Sequence, residues 1–281
     1  MRSTAALKQQ SGKRRIKYTT LLLFVLVIMV IIMTPEITPQ DANKLIIGNR
    51  LLGPSSEHLL GTDHLGRDLL SRMIAGVRTT VGTSLLILSI SMVIGVTLGL
   101  LTGFLGGLYD RMFKRIVDAF MTLPDYIFAI VLSGLLGPGF LNLLFAVIAV
   151  KWVGYARLVR STVLQEKEKD YIKLAELAGV PALRIVKKHL LPRVMGNVFV
   201  LAALDLGKII LIIASLSYLG LGPQPPTAEW GSMLNEGRVY FNTAPHLMLA
   251  PGIAIMITVL IANICGDRLR DKLDVRMKKG A

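Results

Sequence analysis

The stretch that decides the fold is residues 79–108, TTVGTSLLILSISMVIGVTLGLLTGFLGGL, which contains no charged side chain. The interval without charge extends from Arg78 to Asp110, and a second such interval extends from Arg238 to Asp267. A helix needs about 20 apolar residues to cross a bilayer, so each interval is long enough to hold one. Both intervals therefore predict membrane-spanning helices.

The composition of the whole chain indicates the same class of protein. Of the 281 residues, 53% are hydrophobic and 18% are charged, whereas soluble proteins carry about 25% charged residues. So many apolar residues exclude an intrinsically disordered chain. The single cysteine, Cys265, excludes internal disulfides and a metal site built from cysteines. We therefore predict an all-α, polytopic membrane protein.

Six segments are apolar and long enough to span the bilayer: residues 18–33, a helix within 79–108, and 117–136, 140–156, 194–218 and 244–265. The first follows a basic arm, residues 1–17, as in a signal peptide. No small-residue cleavage site follows it, so we expect a retained span. Residues 34–78 separate this span from a five-helix core, residues 79–265, and residues 266–281 form a tail. Within the second span, Gly95, Gly99 and Gly103 predict close packing against another helix.

The distribution of basic residues predicts the orientation. Twenty-four of the 32 Lys and Arg residues lie in segments 1–17, 105–116, 157–193 and 266–281, whereas six lie in the connections on the other side. Basic residues accumulate in cytoplasmic connections, so we expect both termini and residues 157–193 inside and residues 34–78 outside. The net charge of +14 then reflects topology beside anionic membrane lipid, and we expect no nucleic-acid partner.

The longest cytoplasmic connection, residues 157–193, is patterned as two short helices. One helical face is predicted to carry Tyr171, Leu174, Ala175 and Ala178. Gly179 is suited to end that helix, and Pro181 is suited to begin the next. The second helix has an apolar stripe, which we expect to end at Pro192 and which consists of Leu183, Val186, Leu190 and Leu191. This pair is either an amphipathic hairpin that lies on the membrane or a protrusion that fits a cleft in a cytoplasmic partner.

Segment 157–193 resembles the coupling loop of ABC-importer permeases. The pattern of that loop is Glu-Ala-Ala, three residues, Gly, and a long gap before Leu-Pro. The corresponding residues here are Lys173, Leu174, Ala175, Gly179, Leu191 and Pro192, with Val180 and Pro181 directly after the glycine. Lys173 and Leu174 depart from the usual Glu and Ala.

Two further stretches are similar to signatures of the C-type permease subunit of dipeptide, oligopeptide and nickel importers. They are LGTDHLGRD at residues 60–68 and SYLGLGPQPPTAEWG at residues 217–231. Four features most resemble the nickel-importer branch of the family: the short N-terminal arm, the first of these stretches, YARLVRS at residues 155–161 and PTAEWG at residues 226–231.

This resemblance implies the type I permease fold of ABC importers, in a bacterial or archaeal cytoplasmic membrane. It implies four kinds of partner: a homologous second permease that forms a heterodimer with this chain, two cytoplasmic ATPase subunits, an extracytoplasmic substrate-binding protein, and membrane lipid. ATP and Mg would be bound by the ATPases, so we expect no cofactor and no catalytic residue in this chain. The implied cargo is nickel or a metal chelate.

Other functions remain as alternatives. Peptide permeases share most of these motifs, so the same architecture could import di- or oligopeptides. A stand-alone channel or an ion-coupled carrier would leave the helix–Gly–helix segment unexplained. A membrane-embedded enzyme is not favoured, because the sequence has no phosphate-binding loop, no nucleophile elbow and no His-Glu-x-x-His motif.

Charged residues inside the predicted spans are candidates for the translocation path, because charge is costly in a bilayer and faces the bundle interior or water. These candidates are Asp125, Asp205 and Lys208. Asp205 and Lys208 are three residues apart on one helix and are expected to pair, either for helix packing or beside the conduit. Asp118 and Lys151 lie near predicted span ends, where we expect a structural role.

The segments outside the membrane contain candidate residues for binding-protein docking or for gating: Asp63, His64, Arg67, Asp68, Glu229 and Trp230. Imidazole suits nickel, but no two of the four histidines share a helix at ligand spacing. A metal that crosses as a chelate also needs no protein cage. We therefore expect no metal site in this chain.

Overall fold

The structure is a computed structural model that describes residues 38–278, with side chains as far as residue 271. Over this range the chain forms nine α-helices and no β-strand. The helices are α1 Leu69–Leu105, α2 Gly107–Phe120, α3 Asp125–Leu136, α4 Phe140–Lys167, α5 Asp170–Leu177, α6 Ala182–Ile185, α7 Leu191–Tyr218, α8 Trp230–Gly237 and α9 His246–Lys278. The arm 1–17 and the predicted first span, residues 18–33, lie outside the described residues.

Four helical segments between residues 38 and 278 are long and apolar enough to cross a membrane: Leu69–Leu105, Phe140–Lys167, Ala182–Tyr218 and His246–Asp271. They confirm the prediction of an all-α membrane protein. The first begins ten residues before the predicted start, because Asp68 caps it. The Asp68 carboxylate accepts hydrogen bonds from the Ser71 N–H at 2.8 Å and the Ser71 hydroxyl at 2.7 Å. The last helix continues past the predicted end at Cys265.

The predicted span over residues 117–136 is not one continuous helix. This stretch is divided between α2 and α3, which are bent by 84° relative to each other at residues 121–124. Pro124 stands directly before α3 and has no N–H with which to continue the hydrogen bonding of α2. The break makes Asp125 the first residue of α3.

The glycines of α1 bring this helix into close contact with α4. A Cβ atom at Gly95 would overlap the Tyr155 side chain, and one at Gly99 would lie 2.6 Å from the carbonyl oxygen of Ala156. Gly103 is placed against the same helix. Side chains larger than hydrogen would force the two helices apart, so the predicted packing role of these glycines is confirmed.

Pro192 does not end a helix, in contrast to the prediction. Residues Ala182–Tyr218 form a single apolar helical segment, with a π-helical turn at Val186–Leu190. Pro192 lies in the first turn of α7, where a missing N–H is tolerated. The connection 157–193 is therefore continuous with a spanning helix.

The two ends of the bundle carry different connections. The Asp63 end is formed by residues 38–68 and by the loop 219–245, which are joined by a hydrogen bond of 2.9 Å from Arg67 to Glu236. The Gly179 end is formed by α5 and α6, close to the point where Lys167 donates to the carbonyl oxygen of Phe104. Since α1 has 37 residues, these ends are about 55 Å apart.

Candidate functional site

The predicted helix–Gly–helix segment is present at the Gly179 end. After α5, Gly179 adopts a φ of +71°, a left-handed conformation that favours glycine. The Val180 N–H donates to the carbonyl oxygen of Ala175 at 3.0 Å and closes the turn. Pro181 then precedes α6. We call residues 170–185 the knob.

The apolar residues of the knob are divided between a buried side and an exposed side. Ile172 and Ile185 are buried, whereas Leu174, Leu177 and Leu183 are 64%, 85% and 64% exposed. The predicted stripe through Leu174 therefore lies on the exposed side of the knob. Each short helix has apolar residues on two sides, and periodicity alone does not show which side packs against the bundle. Three leucines consequently point away from the protein.

The buried side of the knob is held by the bundle. Ile172, Ile185 and Leu190 join an apolar cluster with residues of α4 and α7, among them Val159, Val163 and Val194. Burying an aliphatic side chain of this size contributes roughly 1.5–3 kcal/mol. The knob is thus fixed to two long helices at once.

A buried carboxylate, Glu166 at the end of α4, also anchors the knob. It accepts hydrogen bonds from Lys169 Nζ at 2.6 Å, Tyr171 Oη at 2.5 Å and Arg193 Nε at 3.2 Å. Burial, together with the Glu166 carboxylate, raises the pKa of the Tyr171 hydroxyl. Our sequence predictions missed Glu166, because it is one of several acids in the charged run 166–170 and nothing local distinguishes it.

A basic groove lies beside the exposed leucines. It has a volume of about 450 Å³ and is lined by Pro181, Leu183, Arg184, Lys187 and Lys188. No acidic residue lines it. The knob therefore presents an apolar tip and a positively charged flank, which fit a partner with an apolar cleft and acidic margins.

The knob lies within a region of the chain that matches a known protein family. The profile of the family described as "Binding-protein-dependent transport system inner membrane component" matches residues 95–279, a range that includes the whole knob. This chain belongs to that family. The suspected relationship to permeases of ABC importers is confirmed.

Curated relatives of this permease carry several cargo names. This chain is 40% identical over 236 residues to the nickel transport system permease protein NikC of Escherichia coli (strain K12), and the match covers 84% of this chain and 85% of that protein. It is 37% identical over 270 residues to the dipeptide transport system permease protein DppC of Alkalihalophilus pseudofirmus, covering 96% and 89%. It is 40% identical over 258 residues to the glutathione transport system permease protein GsiD of Pectobacterium atrosepticum, covering 91% and 86%.

The fold of this permease resembles a solved one. A chain of the MetNI methionine ABC transporter, in inward-facing conformations, superposes with a TM-score of 0.52 at 21% sequence identity. The match covers 72% of this permease and 96% of that chain. This similarity confirms the predicted ABC-importer permease fold.

The spanning helices of the permease enclose a charged cluster. Lys151 Nζ lies 3.3 Å from Asp205 Oδ1 and 3.4 Å from Asp125 Oδ2, and Tyr155 Oη lies 3.3 Å from Asp205 Oδ2. The predicted pair of Asp205 with Lys208 is wrong, because Asp205 points towards α4 and Lys208 is exposed. Lys151 is buried in the middle of α4 and does not lie at a span end.

At the Asp63 end, two buried arginines share two carboxylates. Arg67 donates to Asp63 Oδ2 at 2.5 Å and to Glu236 Oε2 at 2.9 Å. Arg72 lies 3.4 Å from the same Asp63 oxygen and 3.8 Å from Glu236. The positive and negative charges of this cluster balance. The ion pair between Arg67 and Glu236 fixes residues 60–68 to α8. His64, with a side chain that is 22% exposed, lies at its edge.

Glu229 and Trp230 hold the stretch at residues 217–231 against α1. The buried Glu229 caps α8 by accepting from the N–H groups of Gly231 and Ser232 at 3.0 and 2.8 Å, and burial raises its pKa. The indole of Trp230 donates to the carbonyl oxygen of Met73 at 2.9 Å. These contacts hold α8 and the loop before it against the bundle.

The burial of these residues corrects one predicted role. Five of the six candidates for docking or gating have at most 5% of their surface exposed: Asp63, Arg67, Asp68, Glu229 and Trp230. Their side chains do not form an exposed docking surface, because they are buried and contact other residues of the same chain. A role in gating stays a prediction.

One group of residues has the spacing of a metal site, namely Asp63, His64 and Glu236, whose ligand atoms lie within 4.8 Å of one another. Arg67 and Arg72 already contact both carboxylates. A metal ion there would compete with two buried guanidinium groups. These residues therefore do not fit a resident metal ion.

Proposed function

We propose that this chain is one of two permease subunits of an ATP-driven importer that carries nickel or a metal chelate across a bacterial or archaeal cytoplasmic membrane. The observation that carries the proposal is the knob: three exposed leucines on a support that is fixed to two spanning helices. An exposed apolar tip on a fixed support fits the cleft of a partner protein. We assign it to the cleft of a cytoplasmic ATPase.

The mechanism follows from the stiffness of the knob. An ATPase that moves on binding ATP transmits its displacement only through a part that does not bend. The buried Ile172 and Ile185 and the three hydrogen bonds to Glu166 supply that stiffness. Because the knob continues through the π-helical turn at Val186–Leu190 into helix α7, motion of the knob would reorient a helix that crosses the membrane, a rigid-body transition.

The remaining partners follow from the same proposal. A homologous second permease would cover the exposed faces of the spanning helices, and an extracytoplasmic binding protein would deliver cargo to the Asp63 end. ATP and Mg would be bound by the two ATPases, whose chemistry this chain does not supply. The orientation, with the Gly179 end inside, rests on the predominance of basic residues in segments 157–193 and 266–281.

The choice of cargo rests on the relatives. The similarity to NikC supports nickel as the cargo, and the stretch at residues 60–68 resembles the same nickel-importer branch of the family. A peptide is the second candidate, because the relative that covers the largest share of this chain among those named, 96%, is a dipeptide permease. Uptake of radioactive nickel against a labelled dipeptide, in a strain that lacks the chromosomal importer, separates the two.

The ATPase-docking role is tested by Leu177→Asp. Leu177 is 85% exposed, so the charge does not disturb folding, but it would enter the apolar cleft of the partner at high desolvation cost. We expect the variant to reach the membrane at the wild-type level and to lose copurification of the ATPases. Val239→Asp, at a residue that is 76% exposed at the Asp63 end, is the control and should keep them. Wild-type copurification by Leu177→Asp would refute the docking role.

A further inference from the structure

The charged cluster of Lys151, Asp125 and Asp205 lies near the middle of helices α4 and α7. Asp205 is about 14 residues from either end of α7, and Lys151 is 11 residues from the start of α4. At 1.5 Å per residue, these positions are about 20 Å and about 17 Å from the helix ends. The cluster therefore lies at the depth where uncompensated charge is most costly.

The three charged groups do not balance. One ammonium group faces two carboxylates, which leaves one negative charge. The Lys151 side chain is 6% exposed and that of Asp205 is 11% exposed, whereas that of Asp125 is 62% exposed. The excess charge is therefore on the open side of the cluster, at Asp125.

The open side faces either water or the sister subunit. An exposed carboxylate at this depth is not stable against hydrocarbon. The backbone is also interrupted here, between α2 and α3, and irregular backbone at membrane depth occurs only where it lines a cavity or is covered by protein. Two independent features, a charge and a chain break, thus mark the same face.

We propose that the Lys151 ammonium is a tethered cation that occupies the place of a positively charged cargo group, and that Asp125 receives that group during transport. This inference rests on the proposed importer function and adds the charge of the cargo. Lys151 contacts both carboxylates at nearly equal distances, 3.3 and 3.4 Å, so it bridges α3 to α7. A cargo cation that binds Asp125 releases this bridge and leaves Lys151 with Asp205.

The class of cargo follows from the charge that is left over. A site with one excess negative charge favours a group with positive charge, whether a divalent metal ion or the amino terminus of a peptide. In the absence of cargo, the Lys151 ammonium occupies the site and prevents extracellular cations from binding there. It is therefore a specificity-determining residue.

The experiment measures uptake of radioactive Ni²⁺ and of a labelled dipeptide with a free amino terminus, at increasing extracellular Mg²⁺, in cells that express the whole importer. In Lys151→Met, both carboxylates lose their tethered cation and bind Mg²⁺ instead. We expect half-maximal inhibition by Mg²⁺ at about tenfold lower concentration than in the wild type, because one unit of charge near the site changes. Lys151→Arg should keep the wild-type tolerance, and Lys44→Met, which removes an exposed lysine outside the cluster, is the matched control.

A purely structural role for Lys151 gives a different result. Uptake by Lys151→Met would then fall by the same factor at every Mg²⁺ concentration, and this outcome overturns the proposal. If Lys151→Met does not accumulate in the membrane, Asp125→Asn decides, since its side chain is largely exposed and its loss does not disturb folding. Uptake should fall about tenfold in Asp125→Asn and persist in Asp125→Glu; wild-type uptake by Asp125→Asn overturns the proposal.

The failure of this inference differs from a failure of the importer function. If the wild-type importer takes up Ni²⁺ or the dipeptide but Lys151→Met keeps the wild-type tolerance of Mg²⁺, only this inference falls. If no ATPase copurifies, the importer function itself fails.

Discussion

Substitutions at Gly179 test whether the turn of the knob must have its observed backbone conformation. A residue with a Cβ atom costs about 1–2 kcal/mol in the left-handed region, more for a β-branched residue and less for Asn. No atom lies within 4 Å of a Cβ built at Gly179, so the cost is in the backbone and not in a clash. A penalty of about 2 kcal/mol lowers the population of the intact turn roughly 30-fold relative to an opened one.

The expected result is a graded loss of transport. Uptake should decrease in the order Gly179→Asn, Gly179→Ala, Gly179→Val, with Val close to inactive, while the amount of protein in the membrane stays constant because the spanning helices are untouched. The assay is uptake of labelled cargo in a deletion strain, normalised to permease measured by immunoblot. Gly196→Ala is the control, since Gly196 lies in a helix with open space around it and should transport normally. Full uptake by Gly179→Val would refute the coupling role of the turn.

Two further predictions concern buried carboxylates. Glu166→Gln removes the charge that holds Lys169 and Arg193, so uptake should fall several-fold while the amount of permease in the membrane is unchanged. The control Glu168→Gln, at a side chain that is 80% exposed, should transport normally because exposed ion pairs contribute about 0–1 kcal/mol. Equal uptake by the two variants contradicts the anchoring role. For Glu229, burial raises the pKa above the ordinary value of 4.5, so its contribution to stability is largest below pH 4.5 and is lost as the pH rises through the raised pKa. As the pH rises, the melting temperature of Glu229→Gln should therefore increase relative to that of the wild type. The exposed control Glu57→Gln should not show this trend. Parallel pH profiles of the melting temperatures of Glu229→Gln and wild type would show that Glu229 does not titrate as inferred.

The sequence alone determined the features that depend on local patterns. Some uncharged intervals are longer than the length that a bilayer requires. They predicted spanning helices, because the cost of burying charge in hydrocarbon outweighs other preferences. The spacing of Gly95, Gly99 and Gly103 predicted a close helix contact. Gly179 before Pro181 predicted the turn of the knob, since few other residues tolerate its backbone conformation.

The tertiary structure decided which residues meet. Asp205 pairs with Lys151, 54 residues away, and not with Lys208 on its own helix, because the side of a spanning helix that faces its neighbour is set by packing. For the same reason Ile172 is buried and Leu174 is exposed, although both are apolar. Glu229 and Trp230 are buried against α1, where they contact Thr80 and Met73, and such long-range contacts leave no trace in local spacing. Periodicity defines the stripes of a helix, and only the assembled bundle selects the stripe that becomes the core.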